Sequence, residues 1–261
     1  MSGSPIRVEQ RGPVAVWTLD RADRMNALDR ETLLALGRLA REAATSESTR
    51  AIVVTGAGGK AFCAGADLKE RRGMSEGEVR AQLDLYRSEL GALDRCPRPV
   101  VAAINGVALG GGLELALCCD LRVAAAHALL ALPETSLGII PGAGGTQRLP
   151  RVLGEGRAKE MILLSRRLGA AEALAWGLVN RVVPAGVDVV DDAVEWLRPI
   201  ADGAPVAQSA ALEAIDRALD VELDLGLTLE RAAYEKTLST EDRVEALAAF
   251  AEKRKARFRG K

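Results

Sequence analysis

A single histidine, His127, serves the whole 261-residue chain, and aromatic side chains are almost as scarce, at three Trp, two Tyr and three Phe. One His excludes a His-rich metal site. Any His-based nucleophilic triad would have to be built on His127, yet neither His-Glu-x-x-His nor Gly-x-Ser-x-Gly surrounds it, so it reads as a surface or loop residue. The four cysteines, Cys63, Cys96, Cys118 and Cys119, lack zinc spacing, and an adjacent pair does not close comfortably on one tetrahedral ion. They read as small buried hydrophobes in a reducing compartment, which implies a cytoplasmic protein. An excess of one charge is missing as well: 35 basic against 36 acidic side chains leave a net charge of −1 and no field to draw in nucleic acid. Met1–Gln10 holds no long apolar stretch, so neither a signal peptide nor a membrane span is expected.

What is present is ordinary for a soluble globular chain, 48% apolar and 27% charged, and long enough for one large domain or a domain with an appendage. Ile6–Glu9 and Val14–Leu19 alternate around Gly12-Pro13 and predict a hairpin. Asp29 is placed to cap a helix running to about Ala44. A buried strand follows at Ala51–Thr55, and a helix at Glu76–Cys96 ends where Pro97 forbids continuation. Gly56-Ala57-Gly58-Gly59-Lys60 invites a phosphate-loop reading, but Val54 stands where the first glycine belongs and Ala61 follows the lysine, which rejects it. From Val187 the pattern is helical in four segments, the last being Glu241–Arg257. Strands and helices therefore alternate first and helices alone finish the chain, an α/β architecture with a helical C-terminal appendage.

The organising stretch is Val100–Asp120. An apolar strand, Val100–Ile104, leads to Gly110-Gly111-Gly112 and then to an apolar helix, Leu113–Cys119. A helix start offers unpaired N–H groups and partial positive charge, and glycines let a ligand approach them. Glu114 near that start either complements the helix dipole or serves chemistry. Phe62–Glu70 reads as a turn of small residues where backbone can again meet ligand, and Pro141–Thr146 is a further glycine-rich loop feeding a helix from Gln147.

Taken together, Asn26-Ala27-Leu28, Phe62 through Leu68, Asn105-Gly106 through Glu114, Pro133-Glu134, Gly142 through Arg148 and Ala249 through Arg254 resemble the crotonase (enoyl-CoA hydratase/isomerase) superfamily. The resemblance implies a spiral of repeated β-β-α units over residues 1–200, holding the CoA and acyl site. It also implies a helical C-terminal trimerisation region over residues 201–261, and a homotrimer or a homohexamer made of two trimers. It implies an oxyanion hole from the Ala66 and Gly111 N–H groups, and catalytic roles for Glu114 and Glu134. For Glu134 the alternative is an acid after Pro133 that merely caps a helix or sits in a loop. The CoA and acyl contacts implied are Arg24, Ala64, Ala66, Asp67, Leu68, Lys69, Gly110, Gly111, Pro133, Gly142, Phe250 and Lys253; for Arg24 a solvated arginine is an equal alternative. Coenzyme A is here part of the substrate, and no metal or other cofactor is implied. Asp120 reads as structural, fixing the strand after the central helix.

Two glutamates at these positions point to a hydratase, since relatives that only shift a double bond generally keep one. Cys63 through Arg71, Ala108 through Leu117 and Ile139-Ile140-Pro141 look closer to the methylglutaconyl-CoA hydratase branch, acting in leucine breakdown, than to the short-chain crotonases. A relative on that branch binds RNA through a lysine-rich helix. Asp29–Arg50 here contains no lysine, so an RNA-binding protein on a crotonase fold stands only as the alternative from another class.

Overall fold

The computed structural model describes residues 4–261, so the first three residues of the Met1–Gln10 stretch lie outside it. The chain opens with an antiparallel hairpin of β1 (Ile6–Arg11) and β2 (Val14–Leu19), turned at Gly12, whose φ of +62° favours a residue without Cβ. Asp29 caps α1 (Arg30–Thr45) by accepting from the Thr32 N–H, as its place before the apolar stripe predicts. From there one unit repeats. β3 (Ala51–Gly56) is followed by β4 (Ala61–Cys63) and helices α2 (Leu68–Arg71) and α3 (Glu76–Asp94). β5 (Val100–Ile104) leads to β6 (Val107–Leu109) and α4 (Gly111–Leu117). β7 (Leu121–Ala125) leads to β8 (Leu129–Ala131), a 3-10 turn at Glu134–Leu137, α5 (Gly145–Leu153) and α6 (Glu155–Leu163). β9 (Leu168–Gly169), α7 (Ala170–Trp176) and β10 (Arg181–Val183) follow, and α8 (Val189–Ala201), α9 (Pro205–Asp216), α10 (Leu223–Leu238) and α11 (Glu241–Ala251) complete the chain.

Successive units lay their first strands side by side in one sheet and their second strands in another. The six-stranded sheet runs β1-β2-β3-β5-β7-β10, parallel from β2 onward. The four-stranded sheet runs β4-β6-β8-β9, parallel as far as β8. Each turn of chain thus advances one strand in both sheets, which is the β-β-α spiral of the crotonase fold. In the larger sheet β3 and β5 are buried along their whole length, so they read as nearly unbroken apolar runs, whereas the edge strand β1 is mostly exposed. Ile52, Val54, Ala102 and Ile104 enter the main core with residues of α1, α3 and α4, while Val53, Val101, Ala103 and Val123 face Val189, Ala193 and Leu197 of α8.

Two differences from the sequence reading have clear causes. β4 overlaps the stretch that reads as a turn, and β6 and β9 give no strand signal: strands of two or three residues show no alternation, and their pairing partners belong to other units of the spiral. The last helix stops at Ala251, not Arg257, because Lys253 takes a φ of +54°. The remaining tail folds back, with the Arg259 and Gly260 N–H groups donating to the Asp242 carboxylate and Arg50 donating to the Phe258 carbonyl.

α4 packs backbone to backbone against β4. A Cβ on Gly112 would stand 2.0 Å from the Cys63 carbonyl oxygen, a backbone atom that cannot swing aside. Gly112→Ala is therefore expected to lower the unfolding free energy by about 3 kcal/mol, at the upper end for overpacking, in urea titration; an unchanged midpoint would show that the two elements separate freely.

Candidate active site

Two backbone turns meet at the centre of the molecule. One links β4 to α2 and contains Gly65, at φ +103°; the other ends β6 and contains Gly110, at φ +51°. A Cβ on Gly65 would lie 2.8 Å from the Leu109 carbonyl oxygen, and a Cβ on Gly111 would lie 3.4 Å from the Ala66 nitrogen. The turns are thus packed backbone to backbone. Among the described residues, neither the Ala66 nor the Gly111 N–H donates to a protein acceptor. Gly111 is the first residue of α4, where the helix supplies no acceptor of its own. Two adjacent N–H groups at a helix start are suited to hold an oxygen that becomes negative.

The Ala66 turn is held rigidly. Leu28 pairs with it on both sides, its N–H donating to the Gly65 carbonyl at 2.8 Å and its carbonyl accepting from the Asp67 N–H at 3.0 Å. Arg21 bridges Asp67 and Asp29, each at 2.9 Å, which ties the turn to the cap of α1. The Asp67 carboxylate also caps α2, accepting from the Lys69 N–H at 3.0 Å. These bonds, the Arg21 side chain above all, hold the Asp67 carboxyl below its usual range although burial pushes it up. Asn26 fastens the preceding loop, donating to the carbonyls of Ala61 and Ala57 at 2.8 and 3.0 Å, and its φ of +55° suits asparagine.

Both glutamates are buried. Glu114, 2% exposed, rises from the first turn of α4 and its Oε1 accepts from the Gly145 and Ala143 N–H groups at 2.7 and 2.8 Å. Burial raises its pKa, against the pull of those two amides and the positive charge of Arg148. Glu134, 9% exposed, opens the 3-10 turn after β8. Its Oε1 lies close enough to Gly110 that a Cβ there would stand 2.7 Å away, and its Oε2 is buried without a hydrogen-bond partner among the described residues. Burial pushes this carboxyl up to about 7, its own backbone N–H pulls it down, and the nearby Glu114 adds to the rise. A buried acid poised near neutrality beside a pair of oxygen-seeking amides can exchange protons with a bound molecule at ordinary pH.

The other candidate residues divide into two groups. Ala64 to Lys69, Gly110 and Pro133 belong to the turns around this centre: the Ala64 N–H is spent on the Met25 carbonyl, while Leu68 and Lys69 are exposed on α2. Arg24, Phe250 and Lys253 are exposed, Phe250 at 86%, and no side-chain hydrogen bond ties any of them to the central cluster. Gly142 lines a cavity of about 1060 Å³ with Leu83, Tyr86 and Leu90, behind the loop that holds Glu114; neither glutamate forms part of its wall. Asp120 corrects the sequence reading. Its carboxylate accepts from the Val100 N–H at 2.6 Å, so it fixes the strand before the central helix, not the one after. All four cysteines are buried and unpaired, and burial pushes the Cys63 thiol up to about 12. His127 is exposed, its ring facing the Asn105 carbonyl at 3.1 Å. Among the described residues no cluster of three His, Cys, Asp or Glu side chains is arranged to hold a metal, and no helix is long and apolar enough to cross a membrane. Arg21 and Asp94, which support the turns and carboxylates, have no local signature in the sequence, whereas Ala143 and Arg148 fall within the Gly142–Arg148 stretch, which does not reveal their roles. Their partners lie far away in the chain, and only the Gly142–Gly145 loop marked the neighbourhood.

Comparison with known proteins agrees with this arrangement. The sequence pattern of the family described as enoyl-CoA hydratase/isomerase matches residues 9–261. The mitochondrial methylglutaconyl-CoA hydratase of Mus musculus is 43% identical over 258 residues, spanning 98% of this chain and 82% of that protein. The short-chain-enoyl-CoA hydratase of Clostridium acetobutylicum is 41% identical over 250 residues, spanning 96% and 95% respectively. A crystal structure of an enoyl-CoA hydratase from Bacillus anthracis superposes with a TM-score of 0.95 at 46% identity, covering 98% of this chain and all of that one. With a match along nearly its whole length and a shared spiral of β-β-α units, the chain belongs to the enoyl-CoA hydratase/isomerase, or crotonase, family.

Proposed function

We propose that this chain, within the family's chemistry on acyl-CoA thioesters, adds water reversibly across the α,β double bond of an enoyl-CoA. The observation that carries the reading is the pair of buried carboxylates beside two unspent amides, one carboxylate fixed by backbone and the other with a free oxygen. Attack of water on the β-carbon drives negative charge onto the thioester oxygen. The Ala66 and Gly111 N–H groups bind that oxygen, each worth on the order of 3 kcal/mol at the transition state. Glu114 takes a proton from the attacking water and Glu134 delivers one to the α-carbon; dehydration runs the same groups backwards. Moving a double bond needs one acid as shuttle, whereas hydration uses two.

The acyl-CoA contacts follow the same reading. The backbone from Ala66 to Lys69 meets the adenine and pantetheine, Gly142 borders the acyl chain, and Arg24, Phe250 and Lys253 approach the CoA from outside, the last two across a subunit boundary. Ile215, Leu219, Leu223, Val244, Leu247 and Phe250 are exposed on the C-terminal segment, which supports assembly into trimers through residues 201–261. As substrate we propose 3-methylglutaconyl-CoA, yielding 3-hydroxy-3-methylglutaryl-CoA, on the stretches Cys63–Arg71, Ala108–Leu117 and Ile139–Pro141 and on the 43% identity to the mouse protein of that name. A relative named for short-chain enoyl-CoA stands at 41% and favours the second reading, a general short-chain hydratase. Side-by-side assays with 3-methylglutaconyl-CoA and crotonyl-CoA decide between them. The first is expected to show a kcat/KM at least about tenfold higher; a preference for crotonyl-CoA would give the second reading, and no hydration of either would end both.

A further inference from the structure

We propose that Arg148 is a positioning residue for Glu114, acting through the Ala143–Gly145 loop. The inference rests on the reading of Glu114 as the group that activates water. Arg148 lies in the first turn of α5, and its guanidinium grips both the end of α3 and the Ala143–Gly145 loop. Nε and Nη2 donate to the two carboxylate oxygens of Asp94, the last residue of α3, at 2.9 and 2.8 Å. Nη1 donates to the Ala143 carbonyl at 3.3 Å. The group lies directly across Gly144, whose φ is +108°: a Cβ there would fall 1.9 Å from Nη1. Ala143 is therefore held at both ends, its carbonyl by Arg148 and its N–H by the Glu114 carboxylate at 2.8 Å.

This geometry sets the direction of the loop. With the Ala143 carbonyl drawn to the guanidinium, the Ala143 and Gly145 N–H groups both turn toward Glu114 Oε1. One carboxylate oxygen is thereby fixed, and the carboxyl plane with it. A bidentate arginine–carboxylate pair is suited to this task because it restricts orientation as well as distance. Asp94 and Arg148 keep only 34% and 25% of their side chains exposed, so solvent screens them incompletely. The second consequence is electrostatic. The ionisable groups facing Glu114 are Glu134 from the turn after β8, Tyr86 from α3 and Cys118 beyond the end of its own helix. Arg148 supplies the opposing positive charge and favours the ionised, proton-accepting form.

The test compares Arg148→Met, Arg148→Lys, Glu114→Gln and the double variant Glu114→Gln/Arg148→Met in enoyl-CoA hydration over a range of pH. Arg148→Met is expected to lower kcat by at least about tenfold with KM within about threefold, and to move the acid limb of kcat upward by about one on the pH scale. Arg148→Lys keeps the charge and loses the fork, so its acid limb should stay near that of the parent while kcat falls; it also serves if the methionine variant does not fold. Added to Glu114→Gln, the Arg148 change should cost almost nothing further, because both act on one group. Full additivity in the double variant, or a fall in thermal stability with kcat and acid limb unchanged, would reduce the pair to a brace between α3 and α5. Infrared titration of the carboxyl band that Glu114→Gln removes gives a readout independent of turnover. If Glu114→Gln hydrates normally, the catalytic reading of Glu114 fails. An upward move of that band's titration in Arg148→Met then still upholds the positioning, and an unmoved band overturns it.

Discussion

Glu134→Gln is expected to reduce kcat for hydration between about 100- and 10,000-fold, the span of general acid–base catalysis, while acyl-CoA binding persists. Glutamine keeps the shape of the side chain over Gly110 but cannot deliver a proton to carbon. The parent should show the matching pH dependence. In hydration Glu134 must begin protonated, so kcat/KM falls as pH rises past about 7, the value to which burial pushes this carboxyl; in dehydration it must begin ionised, so the rate rises across the same range. The glutamates are coupled, and this limb belongs to the pair. The same substitution should also stabilise the fold. A carboxyl raised in the folded state costs nothing while both states are protonated. As pH climbs, the unfolded chain releases its proton first, and stability is lost between the ordinary carboxylate value of 4.5 and about 7. Above that window Glu134→Gln recovers on the order of 3 kcal/mol, and near pH 4 it recovers nothing. Melting curves at pH 4 and pH 8 check this. Normal turnover with glutamine in place would remove Glu134 from the chemistry, and equal melting shifts at both pH values would mean that its carboxyl titrates normally.

Glu114→Gln and Glu114→Ala separate catalysis from support at the other carboxylate. Glutamine leaves an oxygen where Oε1 accepts from Ala143 and Gly145, so the loop should hold its shape and denaturant stability should stay within about 1 kcal/mol of the parent. Turnover should nonetheless fall between about 100- and 10,000-fold, because an amide does not take a proton from water. Alanine removes the acceptor as well. Two buried N–H groups then lose their partner, each at about 1–3 kcal/mol, and the Gly142–Gly145 loop is freed. Glu114→Ala should therefore lose activity and stability together, where glutamine loses activity alone. If glutamine proved as destabilising as alanine, the negative charge itself would be holding the loop. If glutamine hydrated at the parental rate, Glu114 would be a structural acid.

Much of the local structure was legible in the chain. Val100–Ile104 takes the bounds its residue pattern predicts, and Asp29 caps the helix that follows it. Long apolar runs and capping residues act over a turn or two of chain, so sequence carries them in full. The glycines at 110–112 mark the helix start, Glu114 stands out as an acid in an apolar segment, and Glu134 is singled out only by the family resemblance.

The amino-acid sequence by itself determined the main elements of the larger sheet, the helical C-terminal segment and the place of Glu114 at a helix start, because propensity, patterning and capping are properties of neighbours. Tertiary structure decided the rest. The second sheet exists only where strands of two or three residues meet partners from other units of the spiral. Arg21, Asp94 and Arg148 gain their roles from residues that only the fold brings within 3 Å of them. The acidity of Glu134 is likewise a product of burial, since a carboxyl acquires a pKa near 7 from the loss of water around it.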